Sequence, residues 1–187
     1  MRLIKGTTDF YIDRPTAVCI GKFDGVHSGH RMLLEHITAK KALGLIPTVF
    51  TFDMAPEELF TGVHNDELCT RDKKLDILEQ LGVELVIEYP LTMDTASIEP
   101  EDFIEQILVD RLNMRYIAAG PDLSYGKGGK GGRELIEYFS HIYGYDVDII
   151  DKLQYEGSDV SSSRIRQALS NGEKTLAENM LGRHGLA

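Results

Sequence analysis

From one end of this chain to the other, short apolar, β-branched runs alternate with longer segments of helical periodicity, and that alternation leaves few folds open. The runs at Thr16–Ile20, Ile46–Phe52, 84–88, 115–119 and 146–150 are rich in buried-strand residues on both faces, as parallel strands covered on both sides must be. Helical patterns fill the gaps at 29–43, 71–81, 100–112, Arg133–Tyr143, 163–170 and 175–181. Within 100–112, Phe103, Ile104, Ile107, Leu108 and Arg111 fall on one stripe that should face a sheet, with charged residues opposite. The expected architecture is a single α/β domain over residues 1–187: a parallel sheet of about five strands with helices on both faces.

A length of 187 residues suffices for one sizeable core, and 42% hydrophobic with 27% charged residues is ordinary for a globular chain. The net charge of −10 opposes binding to nucleic acid or anionic membrane, so any phosphate must be held by a local site. The N-terminus carries no apolar run of signal-peptide length, and no stretch approaches a membrane span. A cytoplasmic location is therefore expected, with neither nucleic acid nor membrane as partner. Cys19 and Cys69 lie outside any CxxC or Cys/His spacing, which gives no basis for a disulfide framework or a zinc site.

The most informative segment runs from Gly21 to His30, Gly-Lys-Phe-Asp-Gly-Val-His-Ser-Gly-His, where the first long run ends and the first helix begins. Open α/β sheets place their ligands at such junctions. Gly21, Gly25 and Gly29 allow close backbone approach, and the helix start offers free N–H groups to an anion. His27 and His30, three apart on the first turn, can direct both rings to one side and donate to phosphate oxygens. In isolation H-x-x-H is more often a pair of surface or cap histidines; among these glycines the ligand reading is preferred.

A second segment, Val160-Ser161-Ser162-Ser163-Arg164-Ile165-Arg166, sets a serine run before a helix. The serines supply a cap and free amides, and Arg166 one turn in can clamp a phosphate. By itself this is simply a well-capped helix with exposed arginines. The glycine-dense stretch 126–132, with Lys127 and Lys130, lacks P-loop spacing and reads as a loop, taken here as a flap over substrate. His36, His64, His141 and His184 have no partner at ligand spacing.

Together these segments resemble the HxGH nucleotidylyltransferase superfamily, whose signature GxFDGxHxGH matches 21–30 and whose ISSTxxR motif is similar to 160–166, with Ser163 in place of threonine. Within it the chain is most similar to the adenylyltransferase half of bacterial FAD synthetases. Three further stretches carry that likeness: Thr51-Phe52-Asp53-Met54-Ala55-Pro56 to TFDPHP, 120–126 to GxDFxFG, and 177–183 to A-x-x-L-L-G-R. Met54 and Ala55 depart from proline and histidine, and Leu123 and Ser124 from an aromatic and a basic residue.

The resemblance implies a Rossmann-like nucleotidylyltransferase fold and transfer of AMP from ATP to FMN, giving FAD and pyrophosphate. It implies ATP and FMN as small-molecule partners and Mg2+ accompanying ATP, with no protein ligand for the metal assigned. His27, His30 and Arg166 would be catalytic. Gly21, Lys22, Phe23, Asp24 and Gly25 would bind ATP with them, as would Gly120 and Asp122 near the ribose and Ser161, Ser162 and Ser163 near the phosphates. Asp53, Leu123 and Tyr125 would lie on the flavin side, although Asp53 also reads as a helix cap and Tyr125 as core. The riboflavin kinase domain of bifunctional members is expected to be absent. Two alternatives stay open: another nucleotidylyltransferase, such as a cytidylyltransferase acting on an alcohol phosphate, and a non-catalytic nucleotide or flavin binding module.

Overall fold

A computed structural model describes residues 1–63 and 67–183. Its centre is a six-stranded, all-parallel sheet in the order β1-β4-β3-β2-β5-β6, formed by β1 (Arg2–Lys5), β2 (Thr16–Ile20), β3 (Ile46–Phe52), β4 (Leu85–Tyr89), β5 (Met114–Ala119) and β6 (Asp146–Ile149). The expectation of about five strands is thus one short. The missed strand is β1, a four-residue edge strand with only Leu3 and Ile4 apolar, paired with β4.

Side chains alternate across the sheet and divide the core in two. Val18, Ile20, Phe50, Ile87 and Ile117 point to one face, under Phe103, Ile104, Ile107 and Leu108. Ala17, Cys19, Val49, Val86 and Ala118 point to the other, under Leu34 and Ile37 of α1 (Ser28–Ala39) and Ile77 and Leu78 of α3 (Arg71–Gln80). Between them in sequence lies the short α2 (Pro56–Thr61), whose N-cap is Ala55 and not Asp53; the single turn α4 (Met93–Ala96) was not anticipated from the sequence.

The 100–112 segment starts as one turn, α5 (Pro100–Asp102), and continues as a π-helix over Phe103–Arg111. Its end is marked by the Leu112 amide donating to the Ile107 carbonyl five residues back, at 2.9 Å. The buried positions repeat strictly every four residues, 103 with 107 and 104 with 108 and 112, a spacing suited to the wider i→i+5 turn. Helix α6 (Arg133–Tyr143) covers the same face.

After β6, a two-stranded hairpin, β7 (Gln154–Tyr155) and β8 (Ser158–Asp159), leads into α7 (Ser162–Ser170) and α8 (Lys174–Leu181). These helices have a small core of their own, built from Val160, Ile165, Ala168, Ala177, Met180 and Leu181.

The connections matter more for function than the strand count. From β2 the chain winds outward through β3 to β4, then crosses to the opposite side of β2 to form β5. Loops leaving the C-terminal ends of β2 and β5 therefore diverge and leave a crevice between them, the usual ligand position in open α/β sheets.

Candidate active site

The β2 loop carries the first motif into that crevice. Phe23 and Val26 both adopt left-handed backbone, with φ of 51° and 42°. For a bulky and a β-branched side chain that is a strained choice, sustained only where the surroundings over-determine it. The surroundings here are Asp24 and the two C-terminal helices.

Asp24 is buried, and its Oδ1 accepts from the Leu68 amide at 2.8 Å while Oδ2 accepts from Arg166. Its main-chain carbonyl accepts from the Ser162 hydroxyl at 3.1 Å. Arg183 donates to the Gly25 carbonyl at 2.6 Å, and the Ser28 hydroxyl donates to the Met180 carbonyl at 2.8 Å. The second motif thus reaches the first from the far end of the chain, and α7 and α8 act as a brace for the glycine loop.

His27 is the N-cap of α1: its Nδ1 accepts from the His30 amide at 3.3 Å. That bond leaves Nδ1 unprotonated, so in the neutral ring the proton sits on Nε2. The two imidazoles stack at 3.7 Å between centroids, with planes 20° apart. Gly29 allows this, since a Cβ there would stand 3.3 Å from the His27 ring.

Burial pushes the His27 imidazole down to about 4, against a partial opposing pull from Asp24. Burial pushes His30 well below its ordinary value too, helped by His27 and by Lys74. Both rings are therefore neutral near pH 7, and each carries one N–H for a ligand. Buried Nδ1 of His30 has no hydrogen-bond partner among the described residues.

Two cavities meet at this pair. The first, of about 400 Å³, is lined by His27, His30, Gly21, Lys22, Ser161, Gly120, Asp122 and Leu123, with an apolar wall that includes Phe52, Met54, Ala55 and Leu153. The second, of about 340 Å³, lies between Lys22, Asp24, His30, Ser162 and Arg166 on one side and Ala55, Pro56 and Glu57 on the other. Lys22, His30, Ala55 and Pro56 border both.

Other expected site residues are placed differently. Phe23 is fully buried, its ring 4.9 Å from that of His30, so it supports the site from behind. Gly25 faces away from both cavities, against Leu68 and Leu181. Ser161 caps α7 by accepting from the Arg164 amide at 3.2 Å and also lines the first cavity, whereas Ser163 is exposed on the first turn. Arg164 turns back to the Tyr155 and Ser158 carbonyls, 2.8 Å from each, and holds the hairpin.

On the flavin side, Leu123 lines the first cavity, but Asp53 and Tyr125 do not. Asp53 accepts from the Leu91 amide at 2.8 Å, and Tyr125 packs against Phe103 with its hydroxyl buried. The Gly-Lys stretch is no free flap. The Lys127 amide donates to Ile98 at 2.8 Å, its ammonium pairs with Glu99 at 2.6 Å, and Tyr125 bridges to Gly131. None of 126–132 borders either cavity.

The sequence reading missed Lys152 and the wall residues Leu33, Ile150, Leu153 and Val160. Lys152 carried one available signal: it sits just past the C-terminal end of β6, on the ligand side of the sheet. His36 is a structural residue, in contact with Tyr116 and Asp148 on the α1 face of the sheet. His64 and His184 lie outside the described residues.

No group of three or more His, Cys, Asp or Glu among the described residues is arranged to hold a metal. Of the carboxylates lining the two cavities, Asp24 is engaged with Leu68 and Arg166 and Asp122 with Lys152. No helix of the described residues is long and apolar enough to cross a membrane.

Comparison with known proteins agrees with this arrangement. The chain is 33% identical to the bifunctional riboflavin kinase/FMN adenylyltransferase of Escherichia coli K12, over 97% of this chain and 59% of that protein. The corresponding protein of Haemophilus influenzae is 32% identical, over 98% and 60%. The crystal structure of a macrolide-efflux protein from Streptococcus pneumoniae superposes with a TM-score of 0.85 at 26% identity, covering 97% of this chain and 61% of that one. The chain spans 59–60% of the length of these curated relatives. The FAD synthetase family profile matches residues 10–164, a span that takes in the histidine loop, the β5 loop and the start of the serine-arginine motif, and the chain belongs to the FAD synthetase family.

Proposed function

We propose that this chain carries the FMN adenylyltransferase activity found in the names of its relatives, transferring AMP from ATP to FMN and releasing pyrophosphate. The observation that carries the reading is the stacked, neutral His27–His30 pair, set at a helix N-terminus and lining a cavity that joins polar groups to an apolar wall. Over residues 1–187 we assign one adenylyltransferase domain, working in the cytoplasm.

In this mechanism an oxygen of the FMN phosphate attacks the α-phosphorus of ATP in line. The new P–O bond forms as the bond to the β-phosphate oxygen breaks, and pyrophosphate leaves with that electron pair. No covalent enzyme intermediate is needed, so the protein positions the reactants and stabilises charge on the phosphate oxygens. His27 Nε2–H and the His30 ring donate to the α-phosphate. Lys22, Ser162 and Arg166 line the cavity assigned to the leaving pyrophosphate. The apolar wall at Phe52, Met54, Ala55 and Leu123 takes the flavin ring.

Magnesium enters in this reading as part of the ATP substrate, held by phosphate oxygens and water, as suits an ion that keeps most of its hydration shell.

The test is to incubate the protein with Mg2+, ATP and FMN, with CTP in a parallel reaction, and follow FAD by chromatography and pyrophosphate release. FAD formed from ATP and lost in His30→Ala supports the assignment. Turnover of CTP alone, or binding of FMN and ATP without pyrophosphate release, overturns it.

A further inference from the structure

A third cavity, of about 910 Å³, lies between the 67–70 segment before α3, helix α7 and Arg183. Among the described residues it shares none with the first cavity and only Arg166 with the second. Three cations line it, Lys73, Arg166 and Arg183, against the one carboxylate of Glu67, which is exposed. In a chain of net charge −10, such a local excess of positive charge marks a place that attracts anions.

Two of these cations also hold the glycine loop, Arg166 through Asp24 and Arg183 through the Gly25 carbonyl. Arg183 is half-buried and has no carboxylate partner among the described residues. Burial pushes its guanidinium below the ordinary value, against an opposing pull from the Cys69 thiol and with a further push from Arg31. Arg31 stands outside the cavity, and its own Nε is buried without a hydrogen-bond partner. An anion in the cavity would offset the repulsion between these like charges. Two guanidinium groups and an ammonium suit the several oxygens and double charge of a phosphoryl group better than a single carboxylate.

We infer that this cavity is a regulatory binding site for a phosphoryl group, whose occupant antagonises nucleotide binding through Arg166 and Arg183. An oxyanion that takes N–H groups from these two side chains draws them away from Asp24 and from the Gly25 carbonyl. Those contacts keep Phe23 and Val26 in left-handed backbone, so the loop that carries His27 loosens. Linkage then requires that bound nucleotide weaken the anion by the same factor. The site itself is independent of the function proposed above; its effect on ATP rests on that reading.

The experiment is calorimetric titration of inorganic phosphate into the nucleotide-free wild type, Lys73→Gln and Gln167→Glu, followed by ATP titrations at rising phosphate. Lys73 and Gln167 line this cavity and neither of the other two. Each variant should bind phosphate about tenfold more weakly, the loss expected for one charge-assisted contact. In the wild type the Kd for ATP should rise by about five- to tenfold and then level off as the site fills. In the variants the same rise should need about tenfold more phosphate. Parallel titrations with AMP identify the source of the phosphoryl group: tighter binding than phosphate, weakened in the same variants, assigns an ester, and weaker binding assigns the free ion. Equal phosphate affinity in the wild type and both folded variants overturns the site. A Kd for ATP that rises without limit, and equally in all three proteins, is direct competition at the histidines and overturns the coupling. Phosphate binding as described in a wild type that does not bind ATP supports the site and overturns the nucleotide reading instead.

Discussion

The amide of His30 donates to Nδ1 of His27, and the two rings lie stacked above that bond. One residue thus does two things: as helix cap it fixes where α1 begins, and as imidazole its remaining N–H faces the cavity. A substitution that keeps the cap and removes the ring separates these roles. Asparagine is a good N-cap. His27→Asn should therefore fold nearly as well as the wild type while losing about two to three decades in kcat, the usual loss for one donor to a developing oxyanion. His27→Ala should show the same loss of rate and also a drop of about 1 kcal/mol in stability. Denaturant unfolding and steady-state kinetics on both variants check the separation; equal stability of the two would remove His27 as cap.

The low proton affinity of the same ring makes stability depend on pH. Unfolded, His27 takes up a proton near its ordinary value of 6.5; folded, it does so only at about 4. Between these values the unfolded chain binds more protons, so stability rises with pH and is lost as pH falls from 6.5 toward 4. Over the whole window the loss from His27 is about 3 kcal/mol. Asp24 opposes the shift at His27, while at His30 the neighbouring His27 and Lys74 add to the lowering that burial causes. Urea unfolding at pH 7 and pH 5 should show a pH-dependent loss that is visibly smaller in His27→Asn. The same slope in both proteins would mean that other groups carry it.

Much of the fold was legible because strands buried on both faces leave an unmistakable composition, as at Thr16–Ile20, where every residue is buried. β1 was not, because a strand of four residues becomes one only through its partner β4, some eighty residues away. The histidine loop was legible because it leaves a strand end and opens a helix, whereas Asp122, Leu123 and Ser161 came from the resemblance; all of them line the first cavity. Lys152 could not be joined to Asp122 without the β5–β6 register, which no local pattern encodes. Of the two readings the sequence left open for Tyr125, flavin side or core, packing decides, since Phe103 and Gly131 lie against its ring.

Asp24 is a further case in which the contacts decide the role. Its carboxylate is occupied on both oxygens by groups from distant segments, Leu68 and Arg166. Asp24→Asn can satisfy only one of these donors and turns an amide N–H toward the other. The expected loss is about 2–3 kcal/mol of stability, at the lower end for a broken buried ion pair because Arg166 keeps some solvent. KM for ATP should rise as the glycine loop loosens. Thermal unfolding together with ATP titration tests both parts; a variant as stable as wild type with altered KM would reassign Asp24 to direct ligand contact.

Gly25 separates two reasons for a glycine. Its φ is +73°, which any side chain resists, and a Cβ there would also stand 2.9 Å from Cβ of Leu68 and 3.2 Å from Leu181. Gly44 supplies the control, with φ of +81° and open space around the missing Cβ. Gly44→Ala should cost only the left-handed backbone penalty, about 1 kcal/mol. Gly25→Ala should cost distinctly more, about 2–4 kcal/mol, because the loop must also be pushed off α8 and the 67–70 segment. It should also lower FAD synthesis by displacing His27, whereas Gly44→Ala leaves activity intact. Equal losses of stability in the two variants would show that backbone conformation alone, and not the brace from the C-terminal helices, explains glycine at position 25.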